Sequence, residues 1–160
     1  MNGNMHLFFG AYVGATGAVL LNTTPEESLL FVSAAMVGSL FPDIDEPGSM
    51  LGKHIPVLPK FLKKTFGHRG LIHTPACMLF LWVLLYGLTY PHGFSHISFG
   101  FLLGYSAHLI QDMFTKRGIS LLYPFYKKKI SLGFFKSGSY ADFLITLLLC
   151  FFWQGVFALF

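Results

Sequence analysis

Charged residues are too scarce in this chain to cover the surface of a water-soluble domain. Asp, Glu, Lys and Arg make up 11% of its 160 residues, whereas 54% are hydrophobic and 18% are aromatic. An average soluble domain carries roughly a quarter charged residues, and disordered chains are polar and poor in aromatics. Both classes are therefore excluded. The composition and length predict a single membrane-embedded domain over residues 1–160.

Apolar residues are gathered into five segments that are separated by Pro, Gly and Thr. The segments are residues 5–21, 28–41, 75–90, 94–114 and 141–160. A helix that crosses a bilayer needs about 20 residues, so the first three must be extended or matched by a locally thinner bilayer. No Lys or Arg precedes Lys53, so the first segment lacks the basic region of a signal peptide and is expected to remain as a helix. The prediction is an all-α integral membrane bundle of about five helices.

Two GxxxG pairs lie within the apolar segments. They are Gly10 with Gly14 and Gly100 with Gly104. Small residues at this spacing let two membrane helices approach closely. The pairs would serve packing within one chain and between two chains equally well, so the oligomeric state stays open.

All eleven Lys and Arg residues fall in two of the loops between these segments. Five lie between the second and third segments, and six lie between the fourth and fifth. Cytoplasmic loops of membrane proteins are enriched in Lys and Arg, so both basic loops are expected inside. The sequence thus predicts a multi-pass protein of the cell inner membrane, with its N-terminus in the cytoplasm and its C-terminus outside.

Aromatic side chains accompany the lysines in both basic loops. Residues 59–66 have the pattern of a short amphipathic helix in the headgroup layer, and residues 119–135 mix aromatics with lysines in the same manner. Anchoring by the positive-inside rule explains both segments, and a basic rim that attracts anionic lipid headgroups is the sharper alternative. Direct nucleic-acid binding is not expected, because these basic residues lie against lipid.

The uncommon polar residues gather at one end of the predicted bundle. In chain order the candidates are His6, Asp43, Asp45, His68, Arg69, His73, His108 and Asp112. Asp43 and Asp45 alone would fit a turn, and His6 alone would fit an ordinary interfacial histidine. His108 and Asp112, however, are four residues apart and share one helix face. Ionisable residues this deep in apolar segments usually mark a functional site, so we interpret the set as a metal site rather than a structural polar network.

The ligand types narrow the chemistry of this site. Imidazole and carboxylate groups without a thiolate suit zinc, manganese or iron. The five to seven candidates exceed the needs of one tetrahedral ion, which favours two or more ions that share a carboxylate. Arg69 could hold a phosphate through two parallel bonds, and the helix that begins after His73 offers free N–H groups to the same anion. This combination of groups indicates that the site acts on a phosphate ester.

Three motifs in this order resemble the YdjM family. They are Leu40-Phe41-Pro42-Asp43-Ile44-Asp45, Phe66-Gly67-His68-Arg69-Gly70 with His73, and Gly104-Tyr105 followed by His108 and Asp112. The likeness continues through residues 118–124. The family comprises inner-membrane proteins regarded as metal-dependent hydrolases and also as LexA-binding proteins. It is distantly similar to zinc-dependent phospholipase C.

This resemblance implies a ligand set for the metal site. The implied ligands are His6, Asp45, His73, His108 and Asp112, with Asp43 as the alternative to Asp45. The HxxxE pair that completes a third zinc site in phospholipase C is not apparent in this sequence, which argues against three ions. We therefore expect a divalent metal, with zinc favoured over manganese or iron, and two ions.

The leading interpretation is a membrane-bound metal-dependent hydrolase of a phosphate ester. A (phospho)lipid substrate is favoured because the site lies at headgroup level. A metal-bound water would attack phosphorus, Arg69 would neutralise the developing charge, and His68 and Asp43 are candidate acid–base groups or additional ligands. The alternative is a non-enzymatic membrane protein that binds metal or a partner such as LexA. A transporter is disfavoured, because its site should lie near the bilayer midplane.

Overall fold

Six α-helices form the framework of the described part of the chain. A computed structural model describes residues 2–55, 57–66, 69–126, 128–133 and 137–158. The helices are α1 (Gly3–Leu20), α2 (Pro25–Leu40), α3 (Val57–Phe66), α4 (Pro75–Thr89), α5 (Ser95–Met113) and α6 (Tyr140–Phe157). No β-strand occurs within these ranges, so the all-α prediction is confirmed, and α1, α2, α4, α5 and α6 correspond to the five apolar segments. His68, Lys127 and Phe160 lie outside the described residues.

Capping side chains set where the central helices begin. Thr24 and Glu27 form a reciprocal capping box at α2: the Thr24 N–H donates to the Glu27 carboxylate at 2.9 Å, and the Glu27 N–H donates to the Thr24 hydroxyl at 3.3 Å. At α4 the Thr74 hydroxyl accepts from the Cys77 N–H at 3.1 Å, with Pro75 in the first turn. The α4 cap makes the chain enter that helix directly after His73.

Helix α2 packs against both α1 and α5, which also contact each other, and glycines allow both neighbours to approach α2 closely. A Cβ atom added at Gly104 of α5 would lie 1.9 Å from the Ala35 carbonyl oxygen of α2. On α1, Gly10 and Gly14 face Ser39 and Ala35 in the same way, with added Cβ atoms 2.3 and 2.8 Å from the nearest side-chain atoms. Both GxxxG pairs therefore serve packing inside this chain.

Two helices in the described part of the chain are long and apolar enough to cross a membrane. They are α2 together with the following 3-10 turn (Pro25–Asp45) and α6 (Tyr140–Phe157). Large apolar side chains on α4 and α6 point outward: Leu88, Phe151 and Phe152 are each more than 70% exposed. Such surfaces suit contact with lipid. The arrangement with five crossings stays a prediction.

The first basic loop contains the amphipathic helix expected from the sequence. Helix α3 (Val57–Phe66) covers residues 59–66, and Phe61 on this helix is 61% exposed. Lys63, also on α3, pairs with Glu46 at 2.7 Å and ties the helix to the segment that follows α2. The apolar and basic side chains of α3 are thus both available to a headgroup layer.

The second basic loop has no helix in its described part. Ile119 and Ile130 pair as an isolated antiparallel bridge, with N–H to oxygen distances of 3.0 and 2.8 Å. Gly118 has a left-handed backbone with φ 59°, and a Cβ atom there would lie 2.3 Å from the Ile130 carbonyl oxygen. The two basic loops meet at one end of the bundle, where the Arg69 side chain donates to the Gly118 carbonyl at 3.2 Å.

Candidate metal centre

Four separate parts of the chain bring histidines and aspartates to this same end of the bundle. They are the start of α1, the turn after α2, the turn before α4 and the last turns of α5. The residues that meet there are His6, Asp43, Asp45, His73, His108 and Asp112. All are almost fully buried except Asp43, whose side chain is 17% exposed. The five ligands implied by the resemblance thus meet in one cluster, together with their alternative Asp43.

The distances within the cluster are those of groups arranged around an ion rather than bonded to one another. Asp112 Oδ2 lies 3.6 Å from Nε2 of both His73 and His108, and Asp112 Oδ1 lies 3.6 Å from Nε2 of His6. Asp43 Oδ1 lies 3.7 Å from His73 Nε2 and 3.9 Å from His108 Nε2. Two ligands bound about 2.0 Å from one tetrahedral zinc would lie about 3.3 Å apart. The spacing is therefore too long for hydrogen bonds and close to that of shared coordination.

Hydrogen bonds on the outer side of two rings orient their inner nitrogens. His108 Nδ1 donates to the Ser39 carbonyl at 2.6 Å. Because a carbonyl oxygen can only accept, the lone pair of His108 lies on Nε2. His6 Nδ1 pairs with Gln111 Oε1 at 2.8 Å. Neither Nε2 atom has a hydrogen-bond partner among the described residues, although both are buried. A metal ion would satisfy these two nitrogens, so the residues fit such a group.

Gln111 links the His6 ring, which it orients, to helix α6. Its amide nitrogen donates to the Met5 carbonyl at 3.3 Å and to the Thr146 hydroxyl at 3.2 Å, while that hydroxyl donates to the Asp142 carbonyl at 2.7 Å. The amide oxygen is thereby left to accept from His6. Sequence reasoning missed Gln111 and named no candidate site residue within residues 141–160. The available signal was the position of Gln111 within the HxxxD turn of α5.

Arg69 is a buried cation that holds two of the carboxylates. Its backbone is left-handed, with φ 61°, and its N–H donates to Asp45 Oδ2 at 3.0 Å. In its side chain, Nη2 donates to Asp112 Oδ1 at 2.8 Å, and Nη1 donates to the Thr115 hydroxyl at 2.8 Å and to the Gly118 carbonyl at 3.2 Å. These bonds to protein atoms favour a positioning role over the two-bond phosphate contact expected from the sequence.

His73 stands at the centre of the cluster. Its Nδ1 lies 3.6 Å from Asp45 Oδ2, on the opposite side of the ring from Asp43 and Asp112. Burial lowers the pKa of the His73 imidazole from its usual value, which favours the neutral ring that binds metal. The hydroxyl of Tyr105 donates to the Ile72 carbonyl and holds the turn that presents His73.

A cleft of about 350 Å³ opens beside the cluster. Its lining includes Asp43, Arg69, Arg117, Asn2, Ser49 and Ser137. Asp43 belongs to both the cluster and the cleft, so a molecule in the cleft would lie next to the metal ligands. Of the three catalytic candidates, Asp43 and Arg69 therefore line one cleft, and His68 lies outside the described residues.

The fold and the site define a helical membrane-type bundle with a buried His/Asp cluster at one end. The chain belongs to the YdjM inner membrane protein family, whose sequence model matches residues 1–159. The family resemblance drawn from the three motifs is thus confirmed. The family also supports a location in the inner membrane.

Individual relatives agree with this assignment. The chain is 29% identical to the uncharacterized protein YvsG of Bacillus subtilis (strain 168) over 98% of its own length and 97% of that protein. It is 36% identical to the inner membrane protein YdjM of Escherichia coli (strain K12) over 96 residues. That match spans 58% of this chain and 48% of the relative, so about half of the relative's length is matched. No solved structure matches the chain.

Proposed function

We propose that this protein is a membrane-bound, metal-dependent hydrolase of a phosphate ester, with a lipid as its substrate. The observation that carries the proposal is the convergence of three histidines and three aspartates in one cluster beside a polar cleft. A purely structural network would pair buried groups at hydrogen-bond distance. Here the Nε2 atoms of His6 and His108 lie 3.6 to 3.9 Å from the oxygens of Asp43 and Asp112.

The donor set fits two zinc ions better than one. Its six candidate ligands exceed the four positions of a tetrahedral ion. Asp112 has one oxygen near His6 and the other near His73 and His108, so its two carboxylate oxygens would be available as ligands to different ions. Manganese or iron would accept the same imidazole and carboxylate ligands.

The chain's own residues would divide the work of phosphate-ester hydrolysis. Divalent ions at these ligands would polarise a phosphoryl oxygen and lower the pKa of a coordinated water. Arg69 keeps Asp45 and Asp112 in position through its hydrogen bonds. Asp43, at the boundary between cluster and cleft, is placed to accept or hold a proton there, and His68 is the second acid–base candidate.

A lipid substrate is favoured by the place of the cleft in the fold. The cleft lies at the end where the two basic loops meet and where α3 exposes its apolar and basic side chains. Amphipathic helices of this kind lie in the headgroup layer. By the positive-inside rule this end would face the cytoplasm.

The test is metal analysis combined with hydrolysis by the purified full-length protein. Vesicles of phosphatidylglycerol, phosphatidylethanolamine, cardiolipin or phosphatidate would serve as substrates, before and after chelation. We expect zinc bound at about two ions per chain, and a hydrolytic activity that chelation removes and zinc restores. Bound metal without turnover of any of these lipids would favour the alternative, a non-enzymatic protein that binds metal or a partner such as LexA. Protein that binds no metal would contradict the proposal.

A further inference from the structure

Arg117 lines the cleft beside the metal-ligand cluster and has an exposed side chain. The residues that the structure describes make no ion pair or hydrogen bond with its guanidinium. We propose that Arg117 binds the phosphate group of the substrate, an inference that rests on the proposed hydrolase function. In the sequence this residue is one positive charge among the six of the second basic loop.

Arg69, the other arginine of the cleft, is not available for the same contact. Both of its terminal nitrogens already donate to protein oxygens, at 2.8 to 3.2 Å. The Arg69 side chain is only 4% exposed, and these bonds use three of its five guanidinium N–H groups, so it cannot turn toward a ligand without losing them. The free guanidinium of Arg117 can form the two parallel bonds of an arginine–phosphate pair.

The backbone next to Arg117 is held in place by contacts of the two residues that follow it. The Gly118 N–H donates to the Thr115 carbonyl at 3.1 Å, and the Gly118 carbonyl accepts from Arg69 at 3.2 Å. Gly118, whose backbone is left-handed, also packs against Ile130, and Ile119 forms its β-bridge with the same residue. The turn therefore fixes where the Arg117 side chain starts while leaving its guanidinium free.

Apart from the two arginines, the side chains that line the cleft carry no positive charge. Asp43 and Glu46 both line it, and although Lys63 pairs with Glu46 at 2.7 Å, neither carboxylate attracts a phosphate. Neutral polar side chains of Asn2 and Ser49 also line the cleft. Such groups orient a headgroup but do not compensate its charge. Beside the proposed metal ions, Arg117 therefore adds an exposed positive charge for the phosphate.

The experiment measures binding of inorganic phosphate to the zinc-loaded full-length protein by titration calorimetry. Arg117→Gln should weaken phosphate binding about tenfold or more, as expected for loss of a hydrogen-bonded ion pair. Arg117→Lys keeps the charge but loses the planar guanidinium, so its phosphate affinity should lie between those of the wild-type protein and Arg117→Gln. Lys116→Gln is the matched control: it removes the same charge one residue away, from an exposed side chain that does not line the cleft, and should change affinity less than twofold.

Zinc content provides a second readout, because Arg117 is not one of the clustered ligands and its variants should keep their metal. Phosphate affinity that is unchanged in Arg117→Gln, or that falls equally in Lys116→Gln, would overturn the role of Arg117 while leaving the hydrolase proposal intact. Wild-type protein that holds zinc but binds no phosphate would also overturn it. Wild-type protein that binds no divalent metal would overturn the hydrolase proposal and this inference together.

Discussion

At the scale of single residues, the site depends on which atom of each side chain faces the cluster. The Ser39 carbonyl and the Gln111 amide oxygen each occupy one nitrogen of a histidine and so present the other nitrogen inward. Hydrogen bonds of this kind are what orients histidine ligands in metal sites. Ser39 and Gln111, which are not candidate ligands, therefore set which nitrogens of His6 and His108 face the proposed metal.

The two histidines of α5 should behave differently when they are removed. His108→Ala, like Asp112→Asn, should strip or strongly weaken metal binding and abolish hydrolysis. His96 is twelve residues from His108, or about 18 Å along the helix axis, too far for one cluster with bonds of about 2.0 Å. His96→Ala should therefore leave metal content and turnover nearly unchanged. Elemental analysis of the purified variants measures this, and loss of metal in His96→Ala with retention in His108→Ala would refute the site.

Arg69→Lys separates the positioning role of Arg69 from a direct contact with substrate. A lysine cannot reach Asp112, Thr115 and Gly118 together, so Asp112 would lose its orientation. Loss of such a supporting group typically weakens metal binding about 10–100-fold. We therefore expect a higher zinc dissociation constant, measured by competition with a chelator, together with lower turnover. Normal zinc affinity with lost turnover would instead support the phosphate contact predicted from the sequence.

At the scale of secondary-structure elements, α2 organises the bundle because glycines on both neighbours let it be approached closely. Helix α5 carries His108 and Asp112, and its contact with the α2 backbone at Ala35 sets their position relative to Asp43. Gly104 lies about one turn before His108 on the same helix, so its small size bears on the geometry of the site although it offers no ligand.

Substitution at two glycines tests the contact between α2 and α5. Gly104→Ala places a Cβ 1.9 Å from the Ala35 carbonyl oxygen, so the helices must separate. Overpacking of this kind costs about 1–3 kcal/mol, and we expect a lower unfolding temperature in detergent, followed by circular dichroism. Gly87→Ala on α4 is the control, because nothing lies within 4 Å of its added Cβ. Equal unfolding temperatures for the two variants would contradict the packing described here.

At the scale of the whole molecule, the two basic loops and the His/Asp cluster lie at the same end of the bundle. Arg69 and Gly118 join the two basic loops beside the His/Asp cluster, so the positive-inside signal and the site report the same orientation. The positive-inside rule predicts that this end faces the cytoplasm, where the proposed site would be open to headgroups. The orientation would therefore determine which leaflet supplies the proposed lipid substrate.

Cysteine accessibility tests this orientation in intact cells. After replacement of the native Cys77 and Cys150, single cysteines at Lys63 and Lys128 should react only with reagents that cross the membrane. A cysteine at Glu26 should react with an impermeant reagent from outside. Labelling of positions 63 and 128 from opposite sides would contradict both the topology and a site at one face. The predicted external position of Phe160 can be tested with the same reagents.

Sequence by itself determined the features that depend on local composition and spacing. The five apolar segments, the amphipathic helix at residues 59–66 and the family resemblance were all readable from the order of residues, and the fold confirms the helices. The candidate ligands were also recognisable, because burying ionisable residues in apolar segments costs free energy and such residues usually belong to a functional site. These features can be predicted without knowing which residues distant in the chain lie close together in the fold.

Only the tertiary structure decided which side chains meet and which remain free. His6 and Gln111 are 105 residues apart, and Arg69 reaches Gly118 across 49 residues. No periodicity encodes such pairs, because they exist only once α1, α5 and the two basic loops have packed. Two arginines that look alike in the sequence are therefore separated by the fold: Arg69 is bonded within the protein, whereas Arg117 is left exposed at the cleft.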